Sequence, residues 1–564
     1  MSATPSSPDP VSAPPALTAR SLIAGFVLAV ALCGINSYLT LSFGVIEEGP
    51  TIAALFFFAF FFLARTKITT TEMVMVATMG SAGGSLGFIS NFFAARAMAG
   101  APFSLWQMTG FAVVTSLLGM LFVIPLRDML VLREKLPWPG AKATHAVIEA
   151  LVHKGDPKQP YYLLATCVLA MAWVVLNDDG GFGLVPEGTA IPIFGLAALG
   201  AAISWSPFAI GGAYLMGFRT CVGFLAGAIV LLVMAPHTPV PEAPHRYVWP
   251  GIGFLVASGL TLMAVNWRVI AASVRGLVSF SRPIEDDDPV LSGRRLLAFG
   301  AVALTVTVTF CYFALDLGIL PIVVLIVIGG LVQNVIATRA AAQTAFNPAR
   351  VMGVLLQGAT ALSGGASAAT NLAGAGFVAG SGAQAGNLTG DMVYGRWLKV
   401  PSRWQFWAQL TTIVPCAFVS AWVFTRIQAS TPVTLEGEGL PAPVAKMWAA
   451  TALIFDGSAQ MPPFAWQSMA IAAGVGVLYV VLEQIKAIHD WVPCSIGLGI
   501  GLVLPVSYDL AFFLGGFVLW IVLRRLLGMR DLTLTTIAVG CIVAEGFGGV
   551  LKPVLQLVGW IRPG

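Results

Sequence analysis

Residues 363–391 read SGGASAATNLAGAGFVAGSGAQAGNLTGD, and the reading of the whole chain turns on them. Of these 29 residues, 8 are Gly and 8 are Ala, and no charge appears before Asp391. A segment with so little side-chain bulk cannot build a core of its own. It lies between strongly apolar segments, which places it at membrane depth. There glycine lets neighbouring backbones approach closely. Glycine also lets a helix break, which is tolerated at that depth only where the backbone is buried in protein or lines a wet cavity. Thr370, Asn371, Gln384, Asn387 and Thr389 would give such a cavity neutral hydrogen-bonding groups. The segment therefore reads as half of a substrate pathway. The other reading is a tightly packed helix pair that holds no ligand.

Working outward, the chain has 564 residues, 57% apolar and only 10% charged, with mean hydropathy +0.86. Soluble chains carry about 25% charged residues. Runs such as 21–32, 51–63, 111–124 and 297–314 are apolar and uncharged. A span of about 20 residues crosses the hydrocarbon layer of a bilayer. The apolar blocks predict an all-α polytopic membrane protein of about 16 transmembrane helices, with re-entrant or broken segments among them. Such a chain is embedded in the lipid bilayer as an integral membrane protein.

The net charge of +4 is modest. Basic residues gather in a few loops, around Arg65 and Lys67, 127–158, 268–295, 396–403 and 524–530. The positive-inside tendency places those loops, and with them the N-terminus, in the cytoplasm. Asp178, Asp179, Glu187, Glu436 and Glu438 then face outward. No nucleic-acid partner is implied. Seven scattered cysteines form no CxxC pair and read as small buried apolar residues. The histidines are isolated, so neither a metal site nor a cofactor is expected.

Residues 1–18, rich in Pro, Ser and Ala, read as a disordered cytoplasmic tail without the features of a signal peptide. A first transmembrane half (19–267), a charged cytoplasmic linker (268–295) and a second transmembrane half (296–564) follow. In the first half, Asn36 and Tyr38 sit near the outer end of the first span. Glu47 and Glu48 follow at its mouth as a solvated pair or a lure for cations. Glu72 comes after three threonines at a helix start, where unpaired amides favour a carboxylate. A small-residue patch at Gly80–Gly84 marks close packing or a break. Residues 141–153 read as an amphipathic helix on the interface.

The second half repeats the first. IGGAYLMGFRTCVGFLAGAIV from Ile210 matches IGLGIGLVLPVSYDLAFFLGGFV from Ile496 at an offset of 286, and residues 36–50 match 334–348 more weakly. Internal duplication is a transporter signature. The loop assignment gives the first pairing a parallel and the second an inverted orientation. Parallel or inverted symmetry therefore stays open, unless a re-entrant segment has been miscounted.

NSYLTLSFG at Asn36, TTTEMVMVATMGSAGG at Thr69, PLRDMLVLREKLPWPGAKAT at Pro125, IGGAYLMGFRTCVGFLAG at Ile210, GDMVYGRWLKVPSRWQFWAQ at Gly390, and IGLGIGLVLPVSYDLAFFLGG at Ile496 with AEGFGG at Ala544 occur in this order over most of the chain. Together they resemble the oligopeptide transporter (OPT) family, in the bacterial branch related to the metal-chelate (yellow stripe-like) carriers. The resemblance implies a bundle of about 16 helices arisen by duplication. It also implies secondary uptake of small peptides, or of metal–chelate complexes of the siderophore or nicotianamine kind, driven by protons. Asp391-Met392-Val393 departs from the Asp-Leu-Lys typical of bacterial members, and the NPG-type motif is absent.

A zwitterionic peptide needs a partner for each end and neutral groups for its amides. Asn36, Tyr38, Asn371, Gln384, Asn387 and Asp391 are the candidate substrate-binding residues. Charges inside a bilayer are costly and are kept mainly for a purpose. Glu545, flanked by Gly546, Gly548 and Gly549, lies within an apolar span, where burial disfavours the charged carboxylate. It is the candidate to load and release a coupling proton, with Glu72 beside it; a hydrogen bond locking two helices is the other reading. Asp391 could equally cap a helix. Asp509 and Glu483 read as interfacial, and Lys446 as a snorkelling lysine. No HExxH constellation points to an enzyme. The sequence predicts a proton-coupled secondary importer of oligopeptides in the plasma membrane (the inner membrane of a bacterium). A metal–chelate carrier is the alternative and a passive channel the remoter one.

Overall fold

A computed structural model describes residues 17–44, 49–133, 136, 138–153, 157–177, 181–192, 196–197, 201–234, 249–265, 267–268, 288–291, 293–344, 349–364, 367–435, 439–459, 464–488, 491–557 and 560. Glu47, Glu48, Asp178, Asp179, Glu436, Glu438, most of the tail and most of the linker lie outside these residues. The first half holds α1 (Ala19–Phe43), α2 (Gly49–Leu63), α3 (Thr70–Gly87), α4 (Ser90–Met98), α5 (Leu105–Leu126), α6 (Pro139–His153) and α7 (Gln159–Leu176). A two-stranded hairpin follows, β1 (Gly188–Ala190) antiparallel to β2 (Ala202–Ser204), and then α8 (Pro207–Met216), α9 (Phe218–Met234) and α10 (Trp249–Val265).

The second half holds α11 (Gly293–Ala314), α12 (Ile319–Val324), α13 (Gln333–Thr344), α14 (Ala349–Leu362), α15 (Ala368–Phe377), α16 (Ala383–Trp397) and α17 (Ser402–Ser430). It ends with α18 (Pro443–Asp456), α19 (Ala465–Glu483), α20 (Ser495–Gly501), α21 (Val506–Gly516) and α22 (Asp531–Leu557). Ten helical stretches among the described residues are long and apolar enough to cross a bilayer, and five shorter apolar helices accompany them. The protein is an all-α polytopic membrane bundle. Residue 293 already belongs to α11, so helix begins two residues before the expected end of the linker.

The helix starts follow from local chemistry. Thr69 and Glu72 close a capping box on α3, Ser104 and Gln107 close another on α5, and Thr18 caps α1. Gly44 ends α1 in the left-handed conformation (φ 69°) that glycine adopts without strain.

The centre of the bundle is α3, buried throughout its apolar stretch. It can be buried because it is made of small residues. A Cβ on Gly83 would lie 2.1 Å from the Ala29 carbonyl oxygen, and one on Gly87 2.5 Å from Asn36 Cβ. α1 thus runs alongside α3 in the same direction. α17 joins them with the same sense: Cys33 Sγ lies 3.1 Å from the Cys416 carbonyl oxygen and Ser37 Oγ 3.2 Å from Ser420 Oγ. α22 runs with α1, placing Gly546 against Ile35 and Gly549 against the Tyr38 ring. The starts of α1, α3 and α22 therefore share one end of the bundle with the α16–α17 turn. Arg20, Lys67, Arg530, Arg396, Lys399 and Arg403 gather there. This is the basic end.

α15 and α16 continue one another as a helix through a π-turn at Val378–Gly382, and α16 runs antiparallel to α3: Asn387 faces Ser85, and Tyr394 faces Thr78. The stretches matched from Ile210 and Ile496 point in opposite directions. α8 runs with α21, placing Phe208 on Phe512, Ile210 on Gly515 and Tyr214 on Trp520. α20 runs with α9, placing Gly497 on Thr220 and Gly501 on Phe224. α9 in turn opposes α21, through Phe218–Phe513 and Phe224–Phe512. Each matched stretch thus doubles back, at Gly217 (φ 84°) in one and at residues 502–505 in the other. The parallel orientation expected for this pair is corrected: the chain reverses at a re-entrant turn that a count of apolar blocks does not see.

Candidate substrate pathway

Three helices bring their polar stripes together at one buried junction. Thr78, Ser81 and Ser85 on α3 are spaced three and four apart, so they share a face. Asn387, Asp391 and Tyr394 do the same on α16. Gln405 and Gln409 do so on α17. Asn387 Nδ2 donates to Ser85 Oγ at 2.7 Å. Gln405 Nε2 donates to Thr78 Oγ1 at 2.9 Å and to the Asp391 carbonyl at 2.8 Å. The Tyr394 hydroxyl lies 3.4 Å from Thr78 Oγ1. The Asp391 carboxyl faces the hydroxyls of Ser81 and Tyr394 and no cation, and its Oδ2 has no hydrogen bond among the described residues.

Unpaired amides adjoin this junction. Both side-chain polar atoms of Gln333 on α13, Gln384 on α16 and Gln409 on α17 are buried without a hydrogen-bond partner among the described residues. Gln333 lies against Gly382, and its neighbour Asn334 donates to Ser381 Oγ at 2.7 Å, so α13 meets the glycine-rich segment here. Leaving a buried donor or acceptor unsatisfied costs about 1–3 kcal/mol. Such neutral groups suit the amides of a peptide backbone.

From Ala368 onward the glycine-rich segment does not break. It is helix from Ala368 to Trp397, enclosed by neighbouring side chains in this conformation. Its small residues admit Phe111 against Gly376, Thr115 against Gly380 and Gln333 against Gly382. Along this stretch the structure has a packing seam where a wet hollow was expected.

The sequence candidates fall into separate places. Asn387 and Asp391 share the α3–α16–α17 junction, with Gln384 one turn away. Asn371 is buried on α15, donating to the Ala452 carbonyl of α18 at 3.1 Å. Asn36 and Tyr38 lie on the other side of α3, where Tyr38 packs on Gly549 of α22. Glu545 lies one helical turn before Gly549 on α22. Glu545 faces the first turn of α8, towards the Ser206 hydroxyl and the Phe208 amide, and its Oε2 is unpaired among the described residues. Lys552 and Glu187 are the charges that act on it. Lys552 Nζ donates to Asn177 Oδ1 at 2.8 Å. Glu72 is committed elsewhere. At the basic end it pairs with Arg20 at 2.5 Å, accepts from Thr18 at 2.7 Å and accepts from the Thr69 amide at 3.0 Å.

Two features escaped the sequence reading. At the basic end a cavity of about 570 Å³ is lined by Asp288, Arg396, Lys399 and Arg403, with Asp288 Oδ2 accepting from the Ser402 amide at 2.7 Å. Asp509, read as interfacial, is wholly buried. Its signal was present: a carboxylate four residues after Pro505, within the duplicated stretch.

The chain matches the family described as "OPT oligopeptide transporter protein" over residues 16–241 and 255–555. It is similar to a protein of Saccharomyces cerevisiae, 21% identical over 555 residues, covering 74% of this chain and 76% of that one. A Haemophilus influenzae protein is 26% identical over 211 residues, 37% of this chain and 32% of its own length. Both relatives are described as "Putative oligopeptide transporter".

Proposed function

Because the chain belongs to the OPT oligopeptide transporter family, we propose that it is a secondary transporter importing small oligopeptides, coupled to protons and working by alternating access. The observation that carries this reading is the pair of oppositely directed, doubled-back helix elements, α8–α9 and α20–α21. Interrupted apolar segments at corresponding positions of two halves mark binding regions in transporters, and their inverted relation gives two faces that can open in turn. The basic end is cytoplasmic in this reading, by the positive-inside tendency, which puts the N-terminus inside a plasma membrane.

The peptide would be held by the residues flanking α3. Asn387, Gln384 and Asn371 offer neutral partners to its amides, Asp391 an acceptor for its ammonium group, and Asn36 and Tyr38 a lining nearer the outer face. The cavity at the basic end has the volume of a small-ligand site, and its three cations suit a carboxylate on its way out. Glu545, buried and without a full set of partners, takes the coupling proton. The second coupling candidate, Glu72, is committed to Arg20 and to the start of α3, so the proposal rests on Glu545.

The test uses purified protein in proteoliposomes under an imposed pH gradient, with labelled tri- to hexapeptides in one arm and iron–chelate complexes in the other while voltage is recorded. Accumulation of peptide that collapses with the gradient supports the reading. Accumulation of the chelate alone replaces the substrate. Flux that persists without a gradient indicates a channel.

A further inference from the structure

Asp509 is the most isolated charge-bearing group among the described residues. It lies in the first turn of α21, has no exposed surface, and neither carboxyl oxygen has a hydrogen-bond partner among those residues. Its side chain points back at the turn that reverses the chain: Oδ1 stands 3.3 Å from where a Cβ on Gly501 would be. That turn joins the last residue of α20 to Pro505, the N-cap of α21. A helix end presents carbonyl groups that lack helical partners. At this end Ile500 accepts from both Val503 and Leu504, while residues 502–504 lie outside both helices. Gly251 of α10 allows the turn to be packed closely, since a Cβ there would be 2.8 Å from the Leu502 carbonyl oxygen.

An ionised carboxylate buried with neither oxygen satisfied is strongly unfavourable. It is relieved either by a proton or by a small cation shared with carbonyl oxygens. None of the described residues supplies the positive charge. Of the elements packed on α21, α9 carries Arg219 and Cys221, α8 carries Tyr214, and β2 carries Ser204, which donates to Glu187 at 2.5 Å. None of these groups acts on the Asp509 carboxyl. Arg219 is turned to the start of α20, where it pairs with Glu483 at 2.7 Å and donates to the Val492 carbonyl at 2.8 Å. Tyr214 donates to Asp531 at the basic end. On α21 itself, Tyr508 packs its ring on Phe43.

We propose that Asp509 and the α20–α21 turn form a seat for a monovalent cation, H⁺ or Na⁺, separate from Glu545. The seat lies within one of the two doubled-back elements. Filling it neutralises the carboxylate and lets α21 pack on α8 and α9; emptying it leaves a charge that favours a wetter, opened turn. The cation is in this way linked to the opening of that element. As a coupling site it rests on the transporter reading; as a binding site it does not.

The experiment counts cations on purified, detergent-solubilised protein, comparing wild type with Asp509→Asn. For Na⁺, bound ²²Na⁺ is measured. For H⁺, proton uptake in a pH jump is measured without Na⁺. The substitution is expected to remove a single cation per chain in one arm, and the arm that changes identifies the ion. Unchanged counts in both arms, with the variant folded, overturn the proposal. If Asp509→Asn does not fold, wild-type protein is treated with a hydrophobic carbodiimide, which modifies protonated carboxyl groups, and mapped by mass spectrometry. Modification of Asp509 in acid supports a proton seat, and protection by Na⁺ supports a sodium seat. No modification under any condition overturns both. Wild-type liposomes that accumulate no peptide would remove the transport reading while leaving these counts to stand.

Discussion

Substitution of Gly380 tests what the glycine-rich helix is for. A Cβ placed there would stand 2.0 Å from Thr115 Oγ1 and 2.6 Å from Thr115 Cβ, whereas ordinary contact begins at 3.4 Å. The oxygen would have to retreat by 1.4 Å and the carbon by 0.8 Å. Rotating the threonine does not help, because Cβ stays in place and Oγ1 would lose its 2.8 Å bond to the Phe111 carbonyl. The helices must separate. Overpacking of this kind costs about 1–3 kcal/mol, against which Ala gains about 1 kcal/mol over Gly in helix propensity. Gly380→Ala should therefore be neutral to about 2 kcal/mol destabilising. In a Thr115→Gly background both colliding atoms are gone, and Gly380→Ala should become stabilising. The coupling in the double-mutant cycle should then be about 1–3 kcal/mol, read from reversible unfolding in mixed detergent micelles by far-ultraviolet circular dichroism. A coupling near zero, with Gly380→Ala abolishing transport at full stability, would refute the packing account and place cargo against this helix.

Glu545→Gln should abolish accumulation driven by a proton gradient while sparing peptide exchange between equal pH values; loss of both activities in a folded variant would count against a proton carrier. Glu72→Gln should weaken the tether of α1 to α3 and cost about 1 kcal/mol of stability, leaving gradient-driven accumulation intact. A loss of coupling without a loss of stability would return Glu72 to the pathway. Asn387→Ala removes the donor to Ser85 and should raise the KM for peptides several-fold with little change in the maximal rate; an unchanged KM would remove Asn387 from the binding surface. Lys399→Gln with Arg403→Gln should slow peptide release at the basic end, seen as a lower maximal rate in counterflow, while a wild-type rate would leave the cavity outside the path.

Composition and its continuous apolar runs determined that this chain is a helical membrane bundle, because only helices and closed barrels satisfy a backbone in lipid and barrel strands alternate apolar with polar residues. The duplication was legible too, as was the family, since matched residues keep their order whatever the helices do in space. Direction was not legible. A re-entrant turn at residues 502–505 is made of the same apolar residues as a span, so counting blocks put one matched pair in the wrong orientation, and only the contacts of α20 with α9 and of α21 with α8 reversed it. The glycine-rich segment shows the same limit. Small residues let a backbone break around a passenger or let Phe111 and Thr115 close against it, and the sequence is the same in both cases. What decides is which neighbours arrive from distant parts of the chain, as they also decide that Glu72 meets Arg20 and that Asp509 meets no charged group among the described residues.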